Sequence, residues 1–465
     1  MRNRSFVWVA AASMLLVAEQ ASASGYLAAR FGADDGTPAV ANPYALYFNP
    51  AAMGGMKGTT LAVDGTLVLR DVSYTRPQSA LSSTYPDANT NAQYIAANTG
   101  KASLSNIAVL PFAGVASDLG GSDFRLGFAT YVPFGGSAKW DKTASNGVPG
   151  AEDGPQRWHN IEGSITALYN TLGLAYVLPG GKLSIGGSVS GVVHSIHTVR
   201  ARNADSSDTT ANLTGGTSEG RATLDASGFN IGAALGVYWA PNPDLTVGLS
   251  YTSQPGFGET RMNGTLQTAL PGVQPTTADI DFLQTYPDII RLGATYRVSK
   301  KTQLRVDGSF TRWSVFKDQC VVVAGKDCTL KENGADASGG ANIVANIPRR
   351  WQNSVGARVG VVHDLNESWA LHASTAISTS AVPKSTEDAS TIDAFRVYGT
   401  LGAFWKLDNH LRFGLNYTHI YFAPVTVGAA DAKQYTWVGA SKQPSAAGDY
   451  KSSVNMFDAN IAYTF

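Results

Sequence analysis

The chain has 465 residues in which 35 Lys and Arg balance 35 Asp and Glu, so its formal net charge is zero and it has no basic footprint for nucleic acid. Its two cysteines form neither a Cys-x-x-Cys redox motif nor a zinc-ligand set. Glycine is abundant and mean hydropathy is close to zero, the average expected of strands that set an apolar face against a polar one.

Arg2 and Arg4 precede an apolar run from Phe6 to Ala18, which is followed by Ala21-Ser22-Ala23, a small-residue cleavage pattern. The run is too short to span a bilayer. Residues 1–23 therefore read as a removable signal peptide with maturation near Ser24, and no lipobox cysteine suggests a lipid anchor. The next stretch, 24–58, does not read as a barrel strand. It is rich in turn formers, among them Asp34-Asp35-Gly36, Asn42-Pro43 and Asn49-Pro50-Ala51, yet it carries Phe31, Tyr44, Tyr47, Phe48 and Met53. That apolarity favours a segment folded back as a plug, or hatch, over a disordered tail.

From Leu61 onward, segments of strict apolar and polar alternation recur. Phe229, Ile231, Ala233, Leu235, Val237 and Trp239 share one face, as do Phe457, Ala459, Ile461, Tyr463 and Phe465. These runs have the 9 to 11 residues that a tilted strand needs to cross a bilayer, and about fourteen occur, an even number as a closed antiparallel barrel requires. Short turns such as 179–182, 241–244 and 408–410 alternate with long polar connectors at 76–102, 136–162, 200–223, 254–279, 317–347, 381–393 and 424–450. Short periplasmic turns and long external loops are the asymmetry of an outer-membrane barrel. Tyr176, Trp239, Tyr296, Trp369, Trp405 and Phe465 all fall at the short-turn ends, where an interfacial girdle belongs. The fold class is all-β: a 14-stranded antiparallel transmembrane β-barrel over 59–465, with the N-terminal hatch in its lumen and both mature ends on the periplasmic side. Such a chain belongs in a Gram-negative outer membrane, in contact with its lipid, as a monomer whose C-terminal Phe465 engages the barrel assembly machinery.

Cys320 and Cys328 share one long connector and in an oxidising exterior are expected to form a loop disulfide, the alternative being two free surface thiols. Catalysis finds no support: there is no Gly-x-Ser-x-Gly elbow, phosphate loop or dinucleotide fingerprint, and His194 and His197 point to opposite faces of their strand. No metal or cofactor is expected.

The arrangement around Asn49-Pro50-Ala51 resembles the FadL family of long-chain fatty acid transporters, and the likeness continues at Tyr131-Val132-Pro133-Phe134-Gly135, Leu174-Ala175-Tyr176, Val247-Gly248-Leu249-Ser250-Tyr251, Thr311-Arg312-Trp313-Ser314 and Phe465. The resemblance implies passive uptake of a hydrophobic small molecule, captured in the barrel, gated by the hatch at Asn49, Pro50 and Ala51, and released sideways through the wall. Long-chain fatty acids are the first expectation and aromatic hydrocarbons the alternative within the family. Rivals outside it are a general diffusion porin, a membrane-embedded lipid hydrolase and a surface adhesin. Pro111 and Pro133 lie in neighbouring strands and cannot donate to a ladder. With Phe134 and Gly135 they mark the expected lateral opening, the plainer reading of Pro133 being a strand-end bulge. Among the inward-facing arginines, Arg125 and Arg396 are candidate contacts for a carboxylate. Pairing of such arginines with inward acids such as Asp307 and Asp458 is the stronger reading.

Overall fold

The computed structural model describes residues 30–81, 92–144, 148, 150–203, 206–208, 219–270, 272–331, 335–432 and 443–465. The expected signal peptide at 1–23 and the first residues of the expected hatch thus lie outside the described residues. Among those described, nineteen strand segments form one antiparallel sheet. They are β1 (Thr59–Arg76), β2 (Gly100–Ser117), β3 (Phe124–Lys139), β4 (Glu162–Val177), β5 (Leu183–Arg202) and β6 (Gly220–Asn242). Next come β7 (Leu245–Thr252), β8 (Glu259–Ala269), β9 (Thr276–Thr285), β10 (Ile289–Ser299), β11 (Thr302–Thr311), β12 (Asp318–Val323) and β13 (Ile343–Pro348). The rest are β14 (Ser354–Asp364), β15 (Trp369–Ser378), β16 (Arg396–Lys406), β17 (Leu411–Phe422), β18 (Val425–Val427) and β19 (Gly448–Thr464).

Five crossings are interrupted, with β7 continuing as β8, β9 as β10, β11 as β12, β13 as β14 and β17 as β18, so the segments make fourteen staves. β1 pairs with β2 on one side and with β19 on the other, from Thr60 opposite Thr464 to Thr75 opposite Asp449, which closes the barrel.

Closure pairs the first strand with the last, and the alternation then sorts side chains between membrane and lumen. On β6, Phe229, Ile231, Leu235 and Trp239 are exposed on the outer wall while Ala226 and Ala234 are buried inside. Trp369 and Trp405 stack at 5.7 Å between ring centroids beside short turns, and Trp239, Tyr296 and Phe465 are exposed at the same end, as a headgroup-level girdle requires.

The connectors at 254–279 and 317–347 are not simple loops, because β8, the start of β9, β12 and most of β13 fall within them. On β8 the outward residues Glu259, Asn263, Thr265 and Gln267 are polar, whereas the inward Met262 and Leu266 are buried. A strand standing above the hydrocarbon layer meets water on its outer face, so the apolar outer stripe that marks a spanning segment disappears there. Residues 280–284 of β9 and 319–322 of β12 are buried on both faces. Phe282 and Val321 face the lumen, while Leu283, Cys320 and Val322 pack on the other side with Cys328, which is disulfide-bonded to Cys320.

Candidate functional site

The N-terminal segment from Arg30 to Gly58 packs against inward-facing residues of strands all round the barrel. Its two sides use different chemistry. On one side, Leu46 and Met53 meet β3 and β4 where Gly127 and Gly173 leave room. Asn49 is fully buried; its Nδ2 donates to the carbonyls of Pro38 (2.9 Å) and Val237 (3.0 Å), and its Oδ1 accepts from the Ala51 amide (3.1 Å). Pro50 follows as the first residue of a short 3-10 helix, Pro50–Gly55, where its missing N–H costs nothing. The Ala51 carbonyl accepts from Ser184 Oγ at 2.8 Å. The fit is close enough that a Cβ at Gly236 would lie 1.9 Å from Asn49 Oδ1, and one at Gly186 would lie 2.6 Å from the Ala51 amide nitrogen.

On the other side the contacts are ionic. Asp35 pairs with Arg305 of β11 (2.7 Å) and with Arg412 of β17. Asp34 accepts from Ser374 (2.6 Å) and meets His372 Nδ1 (2.8 Å), both on β15, with Arg358 of β14 at 3.7 Å. Arg358 also donates to the carbonyls of Ala33 and Gly36, and the Gly32 amide donates to Asp64 of β1. Burial by itself would raise the Asp34 carboxyl, but the His372 hydrogen bond and the Arg358 charge outweigh it and hold the group at about 2.

The wall beside this segment is open between β2 and β3. β2 and β3 pair only from Ser117 opposite Leu126 to Phe112 opposite Tyr131. Above that rung, β2 from Gly100 to Pro111 stays paired to β1, and β3 from Phe134 to Lys139 stays paired to β4. Across the gap Asn106 Nδ2 donates to the Ser137 carbonyl (3.2 Å) and hydroxyl (3.3 Å), and just beyond β3 the Asp141 amide donates to the Ser103 carbonyl of β2 at 2.9 Å. The β3–β4 register slips between Tyr131 and Phe134, where two intervening residues on β3 face one on β4, so Val132 and Pro133 form a β-bulge. Residues 131–135 are all buried, which breaks the alternation and marks an inward kink. Pro111 sits at the first unpaired position, where a residue without an N–H loses no ladder bond.

A cavity opens on the luminal side of these lips. It is lined by Gly135, Gly136 and Ser137 of the β3 lip and walled by Ile165, Ile196, Leu224, Leu266, Phe282 and Val321. The charged or basic side chains around it are Arg70, His159, Arg200 and Arg349, and no Asp or Glu lines it among the described residues. Arg349 is bound by Asp388, Gln319 and Thr391. Burial pushes His159, in the connector between β3 and β4, down to about 4, so that it is neutral at pH 7. A second, lower cavity rests on the N-terminal segment and is lined by Tyr47, Phe48, Arg291, Arg358 and Arg396. Aromatic rings link the two levels, with Tyr131 stacked on Tyr169 (5.6 Å) and Phe134 contacting both Tyr169 (6.3 Å) and Tyr286 (5.3 Å).

Of the residues singled out in the sequence, Pro111, Pro133, Phe134 and Gly135 meet at the break, and Asn49, Pro50 and Ala51 meet at the seat of the N-terminal segment. Arg125 is drawn elsewhere: its guanidinium donates to the carbonyls of Met56, Ser122 and Phe124 at the short-turn end, away from both cavities. Arg396 lines the lower cavity but is paired with Asp393 at 2.6 Å. Asp307 does pair with Arg358 (2.8 Å), whereas Asp458 accepts from Thr66 and Asn416 instead of an arginine. The sequence reading overlooked Arg70. It falls on the inward face of β1 by simple alternation, but nothing in the sequence shows which arginines find an acid and which do not.

Comparison with known proteins fits this architecture. No curated protein sequence matches the chain. Among solved structures, a Pseudomonas aeruginosa FadL homologue superposes with a TM-score of 0.74 at 17% identity, over 95% of this chain and 100% of the other. The toluene transporter TodX of P. putida gives 0.63 at 16% identity, over 96% and 99% of the two chains. TbuX, the toluene transporter of Ralstonia pickettii, gives 0.61 at 16% identity, over 95% and 98%. The sequence profile of the outer membrane protein transport protein family, OMPP1/FadL/TodX, matches residues 5–465, and with that match over nearly its whole length the chain belongs to this family of outer-membrane transport proteins.

Proposed function

We propose that the chain carries long-chain fatty acids passively across the outer membrane, taking them up in the apolar cavity and releasing them sideways between β2 and β3. Its family is one of transport channels for hydrophobic compounds, and the chain is not an enzyme. The observation that carries the lateral route is the loss of β2–β3 pairing above Phe112 and Tyr131, directly beside that cavity. An apolar solute gains about 25 cal/mol for each Å² it buries, so a greasy pocket that opens into lipid lets it cross without re-exposing that area to water. The N-terminal segment acts as the hatch that blocks the axial route, with Asn49, Pro50 and Ala51 as its seat. Export by the N-terminal signal and insertion through Phe465 complete this reading.

A second reading, uptake of monoaromatic hydrocarbons, is favoured by the run of rings from Tyr131 to Tyr286. Uptake of labelled oleate, toluene and a hydrophilic sugar by cells producing the chain tests both. Transport of oleate without the sugar supports the first reading, transport of toluene alone supports the second, and sugar flux at porin rates overturns both.

A further inference from the structure

We infer that Arg70 is a specificity-determining residue that holds the anionic head of an amphipathic ligand, so that the upper cavity prefers a carboxylate on an apolar chain over a neutral molecule of the same shape. The inference rests on the lateral-uptake reading above and assigns the ligand a head group and a place.

Arg70 lies in the middle of β1, opposite Asn106 on β2 and Val454 on β19, so neither cross-strand neighbour is an acid. Its side chain is buried, at 6% exposure, and lines the upper cavity together with the β3 lip at Gly135, Gly136 and Ser137. Among the described residues its guanidinium has no ion pair and no hydrogen bond. Five other luminal arginines are ion-paired: Arg305 and Arg412 meet Asp35, Arg358 meets Asp307, Arg349 meets Asp388, and Arg396 meets Asp393. Arg291, which meets no acid among the described residues, donates to Thr252 Oγ1 at 3.1 Å and lies over the Tyr47 ring, whereas Arg70 has neither kind of partner.

A buried guanidinium with no counter-charge is costly, and a merely structural arginine would be expected to find one. Five planar donors facing an apolar cavity suit a carboxylate, which accepts two parallel N–H bonds from such a fork. The nearby walls suit the remainder of the ligand, since Ile165, Ile196, Leu224 and Phe282 offer an alkyl chain apolar contact. His159 is neutral at pH 7, Arg349 is neutralised by Asp388 and Arg200 has an interaction of its own, so Arg70 is the one of these four basic groups left without a partner among the described residues. Arg70 is one strand away from the gap, which places a bound head group at the threshold of the proposed exit.

The test compares binding of oleate and of methyl oleate to the purified full-length barrel, in wild type, Arg70→Met and Arg70→Lys. Wild type is expected to bind oleate at least tenfold tighter than the ester. Arg70→Met is expected to abolish that preference while ester affinity stays within twofold, which also shows that the barrel is folded, and to keep or raise the melting temperature because an unpaired buried charge is gone. Arg70→Lys is expected to restore part of the preference. An oleate-to-ester ratio unchanged in Arg70→Met, or absent in wild type, overturns the assignment of Arg70 while leaving lateral uptake standing. Failure of wild type to bind either compound overturns both.

Discussion

Phe112 and Tyr131 face each other as the last paired residues of β2 and β3, their rings stacked at 5.8 Å with 17° between planes. Phe31 of the N-terminal segment touches both rings, at 5.4 Å and 5.6 Å. The rung at which the wall opens is therefore also the rung on which the N-terminal segment rests. A displacement of the N-terminal segment would therefore act directly on the rung below the gap.

The gap exists because β3 carries one residue too many at Val132-Pro133. Deleting Pro133 is expected to remove the bulge, straighten β3 and extend its ladder along β2 past Phe112. Uptake of labelled oleate should fall to about a tenth or less, equivalent to at least about 1.4 kcal/mol in the transport barrier. Binding to the purified protein should persist. Undiminished uptake by a heat-modifiable, folded deletion variant would rule out the wall as the exit.

The ionic side of the proposed hatch is expected to respond to pH in a definite direction. Asp34 belongs to the N-terminal segment and not to a spanning strand, and its carboxyl is held at about 2 against an ordinary value of 3.8. A depressed carboxyl contributes stability that is complete above its ordinary value and is lost as pH falls through the native one. The hatch should thus stay seated from pH 7 to pH 5 and loosen between about pH 4 and pH 2. Single-channel conductance in planar bilayers, stepped through that range, is the measurement. Asp34→Asn should raise conductance at neutral pH and flatten its acid response; a seal that fails near pH 6 would point to another group.

The outer wall was legible in the sequence because lipid imposes a strict rule on each spanning residue: Phe229, Ile231 and Leu235 must be apolar whatever lies behind them. That rule lapses above the bilayer, which is why β8 and β12 read as loop. Residues 131–135 were legible as a motif, yet their departure from alternation appears only when both faces are seen to be buried. Charge pairing was the least legible feature. Asp35 finds Arg305 and Arg412, 270 and 377 residues away, so no local pattern could separate them from Arg70.

The Cys320–Cys328 bridge closes a loop whose ends are 8 residues apart, too short to hold a barrel together. Replacing both cysteines by serine is expected to cost about 2 to 3 kcal/mol locally on the chain-entropy estimate. Fatty acid uptake should be unchanged, while protease added to intact cells should cleave within 318–348 more readily. After mild reduction, a maleimide that cannot cross the membrane should label these cysteines on intact cells. Labelling only after lysis would place the connector on the wrong side.

Gly236 offers the sharpest probe of the hatch seat, because a methyl group there would fall 1.9 Å from Asn49 Oδ1. No small adjustment relieves such an approach. Asn49 must move, and with it go its bonds to the carbonyls of Pro38 and Val237. Leaving those buried acceptors unmet costs about 1 to 3 kcal/mol. Gly399→Ala is the matched control, since a Cβ at Gly399 meets nothing within 4 Å. Gly236→Ala is expected to raise single-channel conductance well above that of Gly399→Ala, and Asn49→Ala should do the same. If both act by unseating the same turn, the double variant should leak little more than the worse single one, since interacting sites are not additive. Equal conductance for Gly236→Ala and Gly399→Ala would mean that the Asn49 turn does not hold the hatch, and additive leakage would mean that the two residues act on separate parts of the seal.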